Sequence, residues 1–114
     1  MNKYEEYKKY VKVIFDIITQ MLMFKDKSLD NPLFKFLVKN IITETSMYEG
    51  LNNISFESLN DKEFFEELTL NLKELSLACE VSLKNKEASL LLNEKIEKLV
   101  SLHQNYIIKK QYLN

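Results

Sequence analysis

One apolar stripe constrains this chain more than any other feature of its sequence. Between residues 60 and 83, apolar side chains recur at alternating spacings of three and four: Phe65, Leu68, Leu72, Leu75 and Cys79. Such spacings place side chains on one face of an α-helix. The charged residues of the segment mostly fall off this face. The stripe therefore predicts a central amphipathic helix, with Leu72 in the middle of its buried face.

Start and stop signals divide the rest of the chain into three further helices. Asn31 before Pro32 is a good helix start, since proline in the first turn loses only a donor that has no partner there. Asn60 with Glu63 matches a capping box. Gly50 is expected to close the second helix, or to kink its last turn, in a left-handed conformation. We predict helices at about residues 4–24, 32–50, 60–84 and 87–111.

The composition favours long helices joined by short loops. The chain has 114 residues, with one glycine and one proline to interrupt helices. It is 46% hydrophobic and 29% charged, a normal globular balance that argues against disorder. The short turn at Asn85 and Lys86 implies an antiparallel return. We predict one all-α domain over residues 1–114, an antiparallel up-and-down four-helix bundle.

The sequence offers little for catalysis or for cofactors. Cys79 is the only cysteine and lies on the apolar stripe, so we expect a core residue and no internal disulfide. His103 falls on the apolar face of the fourth helix, where no spacing pairs it with a nucleophile or a metal ligand. We expect no enzyme activity, no cofactor and no metal site. With neither a signal peptide nor a membrane span recognisable, we expect a cytoplasmic protein.

Lysine clusters are the candidates for nucleic-acid binding. All sixteen basic residues are lysines and the net charge is −1, so phosphate contacts would depend on local point charges. Two clusters stand out, one on each of the first two helices: Lys8, Lys9 and Lys12, then Lys35 and Lys39. A solvated polar face is one interpretation, and a patch that positions the phosphates of RNA or DNA is the other.

The first and fourth helices carry apolar faces wider than one neighbouring helix covers. Five residues flank stripes that are already filled: Tyr10, Phe15, Ile107, Tyr112 and Leu113. Monomeric proteins rarely expose an apolar patch of that size. We therefore predict that these residues form the surface of a homo-oligomer or of a complex with a partner protein.

Short motifs in the second half of the chain resemble a known family. Tyr48-Glu49-Gly50 is followed by a loop into Asp61-Lys62-Glu63-Phe64, and the pair Glu74-Leu75 comes later. This pattern resembles the four-helix-bundle family encoded by intervening sequences of 23S ribosomal RNA. The accessory variability determinant of diversity-generating retroelements has the same fold. The resemblance implies a homopentamer that binds a partner protein such as a reverse transcriptase, and RNA or DNA. Family members usually carry arginines around the second helix, whereas this chain has none.

Three functions stay open on the sequence alone. The first is a non-enzymatic oligomeric adaptor that binds a partner protein and nucleic acid. The second is a monomeric helical inhibitor or immunity protein that neutralises one protein target, to which the small size and the acidic start of the third helix are suited. The third is a small enzyme, for which no motif is present.

Overall fold

The computed structural model describes residues 3–57 and 61–113, with side chains described as far as Ile107. Within these residues the chain forms helices and no strand. The four α-helices are α1 (Lys3–Leu22), α2 (Pro32–Met47), α3 (Lys62–Lys84) and α4 (Ser89–Leu113), and 3₁₀-helices span Glu49–Asn52 and Lys86–Ala88. The all-helical fold predicted from the sequence is confirmed. None of the helices described is long and apolar enough to cross a membrane.

The start of α2 forms as the sequence predicts, but its end does not. The Asn31 side chain accepts a hydrogen bond of 3.1 Å from the backbone N–H of Leu33, which caps the helix ahead of Pro32. At the other end Tyr48 adopts an extended conformation, with φ −94° and ψ 101°, so that α2 ends at Met47. Gly50 lies in the 3₁₀-helix that follows and has no positive φ. The prediction of a left-handed glycine at the end of α2 is therefore wrong.

The start of α3 is linked to α4 through Asp61. Asn60 lies outside the described residues, and the helix begins at Lys62. The Asp61 side chain precedes it but makes no capping hydrogen bond. Instead, an Asp61 carboxylate oxygen accepts a hydrogen bond of 2.9 Å from the Tyr106 hydroxyl. Asp61 therefore joins the beginning of α3 to α4.

The predicted stripe on α3 lies in the core. Leu72 is 1% exposed, and Phe65 at the start of the stripe is half-buried. The other three members, Leu68, Leu75 and Cys79, are also buried. Buried side chains of the other three helices complete the core: Tyr7, Tyr10, Ile14, Ile17, Ile18, Met21, Phe34, Leu37, Val38, Ile41, Leu92, Ile96 and Leu99.

Two contacts fix how α1 and α2 meet. The hydroxyls of Tyr10 and Thr45 share a hydrogen bond of 2.8 Å, which joins the first half of α1 to the last turn of α2. Phe24, just beyond α1, packs edge-to-face on Phe34 in the first turn of α2, with ring centroids 6.4 Å apart. The start of α1 therefore lies near the end of α2, and the end of α1 near the start of α2.

Helices α3 and α4 are joined in the same manner. Phe64 in the first turn of α3 stacks on Tyr106 of α4, with ring centroids 3.9 Å apart. Further along, Lys95 donates a hydrogen bond of 2.8 Å to the Glu74 carboxylate. The first contact places the start of α3 beside the second half of α4, and the second places the middle of α3 beside the first part of α4.

Candidate functional site

A groove lies between the first half of α1 and the segment that follows α2. Its volume is about 480 Å³. We call it the α1/α2 groove, and its lining combines apolar side chains with three carboxylates and one ammonium group: Glu6, Lys9, Tyr10, Val13, Glu44, Met47, Tyr48, Glu49 and Gly50. Val13 and Met47 are both exposed to solvent. The groove therefore offers apolar contact area next to negative charge.

Two stacked tyrosines form the floor of the groove. The rings of Tyr10 and Tyr48 have centroids 4.7 Å apart and planes inclined by 26°. Tyr10 is buried, and its hydroxyl is held by Thr45. Tyr48 leaves α2 in an extended conformation, and this turn of the chain brings its ring back onto Tyr10. The end of α2 thereby determines the shape of the groove.

Gly50 is required here by the position of the Tyr48 ring. A Cβ atom at Gly50 would lie 2.7 Å from the Tyr48 hydroxyl oxygen and 2.8 Å from two carbons of its ring. Both distances are far shorter than an ordinary van der Waals contact. Since the φ of Gly50 is not positive, the position demands a small residue for space and not for backbone conformation.

Gly50→Ala is expected to displace the Tyr48 ring and to weaken its stacking on Tyr10. We expect a loss of about 1–2 kcal/mol in the free energy of unfolding, because overpacking and a lost aromatic pair act together. Chemical denaturation measures this loss, and near-ultraviolet circular dichroism reports the change around the tyrosines. In a Tyr48→Ala background the ring is absent, so Gly50→Ala should cost little there. Equal losses in both backgrounds would show that the ring is not the constraint.

The carboxylates around the groove act on its tyrosines. Burial is the main reason why the pKa of Tyr48 is raised, and the charge of Glu6 raises it further. Burial also raises the pKa of Tyr10, with a smaller contribution in the same direction from Glu44. The groove lining itself carries three carboxylates and one ammonium group. The groove therefore favours cationic ligands over anionic ones.

The lysines predicted to bind nucleic acid are not gathered in this groove. Lys9 is the only one that lines it, among three glutamates. Lys8 forms an ion pair of 3.1 Å with Glu5, and its ammonium nitrogen lies 4.8 Å from the centroid of the Tyr4 ring. The other three are exposed: Lys12, Lys35 and Lys39. Nucleic-acid binding by these lysines stays a prediction.

The residues predicted to form an assembly surface are divided in the structure. Tyr10 is 6% exposed and lines the α1/α2 groove. Phe15 is half-buried, and its ring packs on His103 of α4 with a centroid distance of 4.7 Å. Ile107 is exposed, and the side chains of Tyr112 and Leu113 lie outside the described residues. The wide apolar face of α1 is thus used largely inside the chain.

The side chains most suited to nucleophilic or acid–base chemistry are packed against other groups. Cys79 is fully buried, as the sequence predicted, and burial raises the pKa of its thiol to about 12. His103 is half-buried against Phe15, also as predicted. Among the residues that the structure describes, no group of three or more histidine, cysteine or acidic side chains could hold a metal ion.

A scan of protein-family models finds no match to the chain, and searches of curated proteins and of solved structures find none either. The resemblance to the family encoded in 23S ribosomal RNA intervening sequences therefore stays a prediction.

The groove was missed at the sequence level, although part of its signal is visible there. Glu6, Tyr10 and Val13 are spaced by four and three residues and so share one side of α1. Glu44, in the last turn of α2, precedes Tyr48 by four residues. Two such mixed apolar and acidic sides suggest a shared groove only when the two helices are known to be neighbours. That information comes from the tertiary structure.

Proposed function

We propose that this protein is a non-enzymatic adaptor that binds a basic, amphipathic segment of a partner protein in the α1/α2 groove. The observation that carries the proposal is that exposed apolar side chains and three carboxylates line the same groove. A helix laid in a groove of this kind places apolar side chains on its floor and positive charges on its rim. Charge complementarity of this kind determines which partner is accepted.

The bundle in this proposal is antiparallel, with helices running up and down. The contacts between α1 and α2 support this arrangement, since Tyr10 meets Thr45 while Phe24 meets Phe34. In such a bundle the last turn of α2 lies beside the first half of α1. The groove and its two stacked tyrosines then follow from the topology.

The exposed apolar side chains of the groove suit the binding of a protein segment. Val13 and Met47 lie on opposite helices of the groove, and both are open to solvent. Methionine is flexible and polarisable, so Met47 can adapt to an incoming apolar side chain. Glu6 and Glu44 lie beside them and would pair with lysine or arginine side chains of the segment.

Other parts of the proposal rest on the sequence. A non-enzymatic role is supported by the burial of the Cys79 thiol and by the packing of His103 on Phe15. The family resemblance suggests a reverse transcriptase as partner and nucleic acid as a further ligand. A cytoplasmic location is part of this proposal.

A small inhibitor or immunity protein is the second candidate. The acidic groove favours it as well, since it could cover a basic functional site of one target protein. An inhibitor would bind its target as a monomer and abolish the activity of that target at a ratio of one to one. An adaptor would leave the partner active.

A synthetic amphipathic helix of leucine and lysine is the probe for this groove. We expect the peptide to bind, and the pair Glu6→Lys with Glu44→Lys to lower its affinity about tenfold or more, because two attractive charges become repulsive. The control pair Glu94→Lys with Glu97→Lys makes the same change of net charge at exposed positions of α4. It should leave the affinity almost unchanged. Isothermal titration calorimetry measures the affinities.

A second measurement, by nuclear magnetic resonance, locates the bound peptide on the protein. Methyl resonances of Val13 and Met47 should shift on titration, whereas those of Leu90, exposed at the start of α4, should not. The proposal fails if both charge-reversal pairs weaken binding equally, if a leucine–glutamate peptide binds as well, or if the shifts lie away from the groove.

A further inference from the structure

The outward side of α3 carries an apolar row that the described residues leave exposed. Leu70, Leu77 and Val81 are 55%, 60% and 46% exposed. Their spacings of seven and four residues place them on one side of the helix. The buried stripe that contains Leu68, Leu72 and Leu75 lies on the opposite side. We call the three exposed residues the α3 row.

Isolated apolar side chains are normal on a protein surface, but the three residues of the α3 row recur at regular helical spacing on one side of the helix. The same helix buries polar side chains, among them Asn71 and Ser82. Apolar side chains at heptad spacing on one helical side are the pattern through which a second helix packs. The row is therefore suited to contact with another helix.

Four charged side chains accompany the row along α3. Lys73 and Glu80 lie on one flank, seven residues apart, and Glu67 and Lys84 mark its two ends. Within the part of the chain that the structure describes, none of these four forms an ion pair with another residue. Three of them are exposed and Lys73 is half-buried. They are thus available to charges of a second molecule.

We propose that the α3 row binds the same row of a second copy of this chain, with the two α3 helices antiparallel about a two-fold axis. In such a pair the numbers of two facing residues have a constant sum. For Leu70 and Val81 the sum is 70 + 81 = 151, and for Glu67 and Lys84 it is 67 + 84 = 151. One register therefore pairs Leu70 with Val81 on each side of the two-fold axis and Glu67 with Lys84 at both ends.

The flanking charges agree with this register. Lys73 and Glu80 lie on the same flank, and their sum of 73 + 80 = 153 differs from 151 by two residues. Two residues are about 3 Å along a helix axis, so each Lys73 lies near Glu80 of the second copy. Two-fold symmetry makes each of these pairs twice. A parallel arrangement would instead place Glu67 beside Glu67 and Lys84 beside Lys84 of the second copy, which is repulsive. The charges of α3 therefore select the antiparallel pair.

Glu74 lies on the same side of α3 as the α3 row, between Leu70 and Leu77. In the proposed pair it faces Leu77 of the second copy, since 74 + 77 = 151. Its carboxylate is already paired with Lys95 of α4 at 2.8 Å. This ion pair holds the charge towards α4, so the acid does not enter the contact without a partner. The α3 row lies outside the lining of the α1/α2 groove, so assembly and peptide binding can fail independently.

The first test is the mass in solution by light scattering. Two chains of 13.6 kDa give 2 × 13.6 = 27.2 kDa, which is the mass that we expect for the wild type at micromolar concentration. Leu77→Glu should shift the mass to 13.6 kDa. The control Leu33→Glu changes a leucine that is 63% exposed on α2, and this variant should remain at two chains. Circular dichroism verifies that both variants are folded.

The second test exchanges charges and separates the antiparallel pair from other contacts. Lys73→Glu should weaken association about tenfold, because two attractive pairs become repulsive. Adding Glu80→Lys should restore it, since the opposite charges then face each other again. This test decides the matter even if Leu77→Glu does not fold. A wild type of one chain, or of five chains at 5 × 13.6 = 68 kDa, would overturn the proposal. So would a Leu77→Glu variant of unchanged mass, or a double variant no better than the single one.

Discussion

Replacing Leu72 by aspartate is expected to abolish the folded state at room temperature. The Leu72 side chain is 1% exposed and lies in the middle of the buried stripe on α3. A carboxylate there would lose its water without gaining a partner, and the core would lose a leucine in addition. Together these effects cost about 5 kcal/mol or more, whereas a domain of this size is stable by about 5–15 kcal/mol. Far-ultraviolet circular dichroism during thermal denaturation measures the outcome.

Leu90→Asp is the matched control for this experiment. Leu90 is exposed in the first turn of α4, where a negative charge interacts favourably with the helix dipole. This variant should melt within a few degrees of the wild type. If Leu72→Asp also melted near the wild type, the stripe would not be the centre of the core.

The buried stripe on α3 was predictable because its spacing follows from one physical requirement, the burial of an apolar helical face. Side chains three and four residues apart share a helical face, and an apolar face must be buried. Leu68, Leu72 and Leu75 are accordingly buried. The start of α2 was predictable for an equally local reason, because Asn31 caps the helix with its own side chain.

The end of α2 was not predictable, because its cause is not local. Gly50 suggested a left-handed helix end, which is the usual role of glycine at such a position. In the structure, the missing side chain of Gly50 leaves the space that the Tyr48 ring occupies. This ring stacks on Tyr10 of α1. A single sequence does not distinguish a glycine needed for conformation from one needed for space.

The wide apolar face of α1 posed a similar ambiguity. Its width predicted more than one neighbour, and the additional neighbours are helices of the same chain. Tyr7 bonds to Thr69 of α3 at 2.8 Å, and Phe15 packs on His103 of α4. The pattern gives the area that must be covered, but it does not say whether the chain itself or a second molecule covers it.

Buried polar residues on α3 explain why the sequence predicted neither the α3 row nor part of the core. Asn71 and Ser82 are buried, although a polar residue normally indicates an exposed position. Each donates a hydrogen bond to a backbone carbonyl one turn earlier, at 2.8 Å from Asn71 and 2.7 Å from Ser82. Such local bonds reduce the cost of burying these side chains. The rotation of α3 about its axis is therefore fixed by its neighbours α2 and α4 and not by hydropathy alone.

A second large effect is expected at alkaline pH. Burial raises the pKa of the Cys79 thiol from 9.0 to about 12. Burial also raises the pKa of Tyr7, Tyr10 and Tyr48 above the ordinary value of 10.0. In the unfolded chain the same groups lose their protons near their ordinary values. The folded state therefore holds protons that the unfolded state releases when the pH exceeds about 9.

The stability that these protonated groups contribute is fully present below their pKa values in the unfolded chain, and it is lost as the pH rises. Each unit of difference between the folded and unfolded pKa is worth about 1.4 kcal/mol. Several groups act in the same direction, and the most buried of them, Cys79 and Tyr7, contribute most of the loss between about pH 9 and about pH 12. We expect the domain to unfold within this range. Urea denaturation at successive pH values measures the loss, and tyrosine absorbance follows ionisation.

Cys79→Ala and Tyr7→Phe separate the contributions of the thiol and the phenol. Each variant should be less stable than the wild type at neutral pH, because the first leaves a small cavity and the second loses a hydrogen bond to Thr69. Thr69 keeps its bond of 2.7 Å to the Phe65 carbonyl, so the cost of Tyr7→Phe is about 1 kcal/mol. Above about pH 9 both variants should lose stability less steeply than the wild type, because each has one fewer group that must ionise on unfolding. Parallel losses in all three proteins would show that other groups cause the alkaline transition.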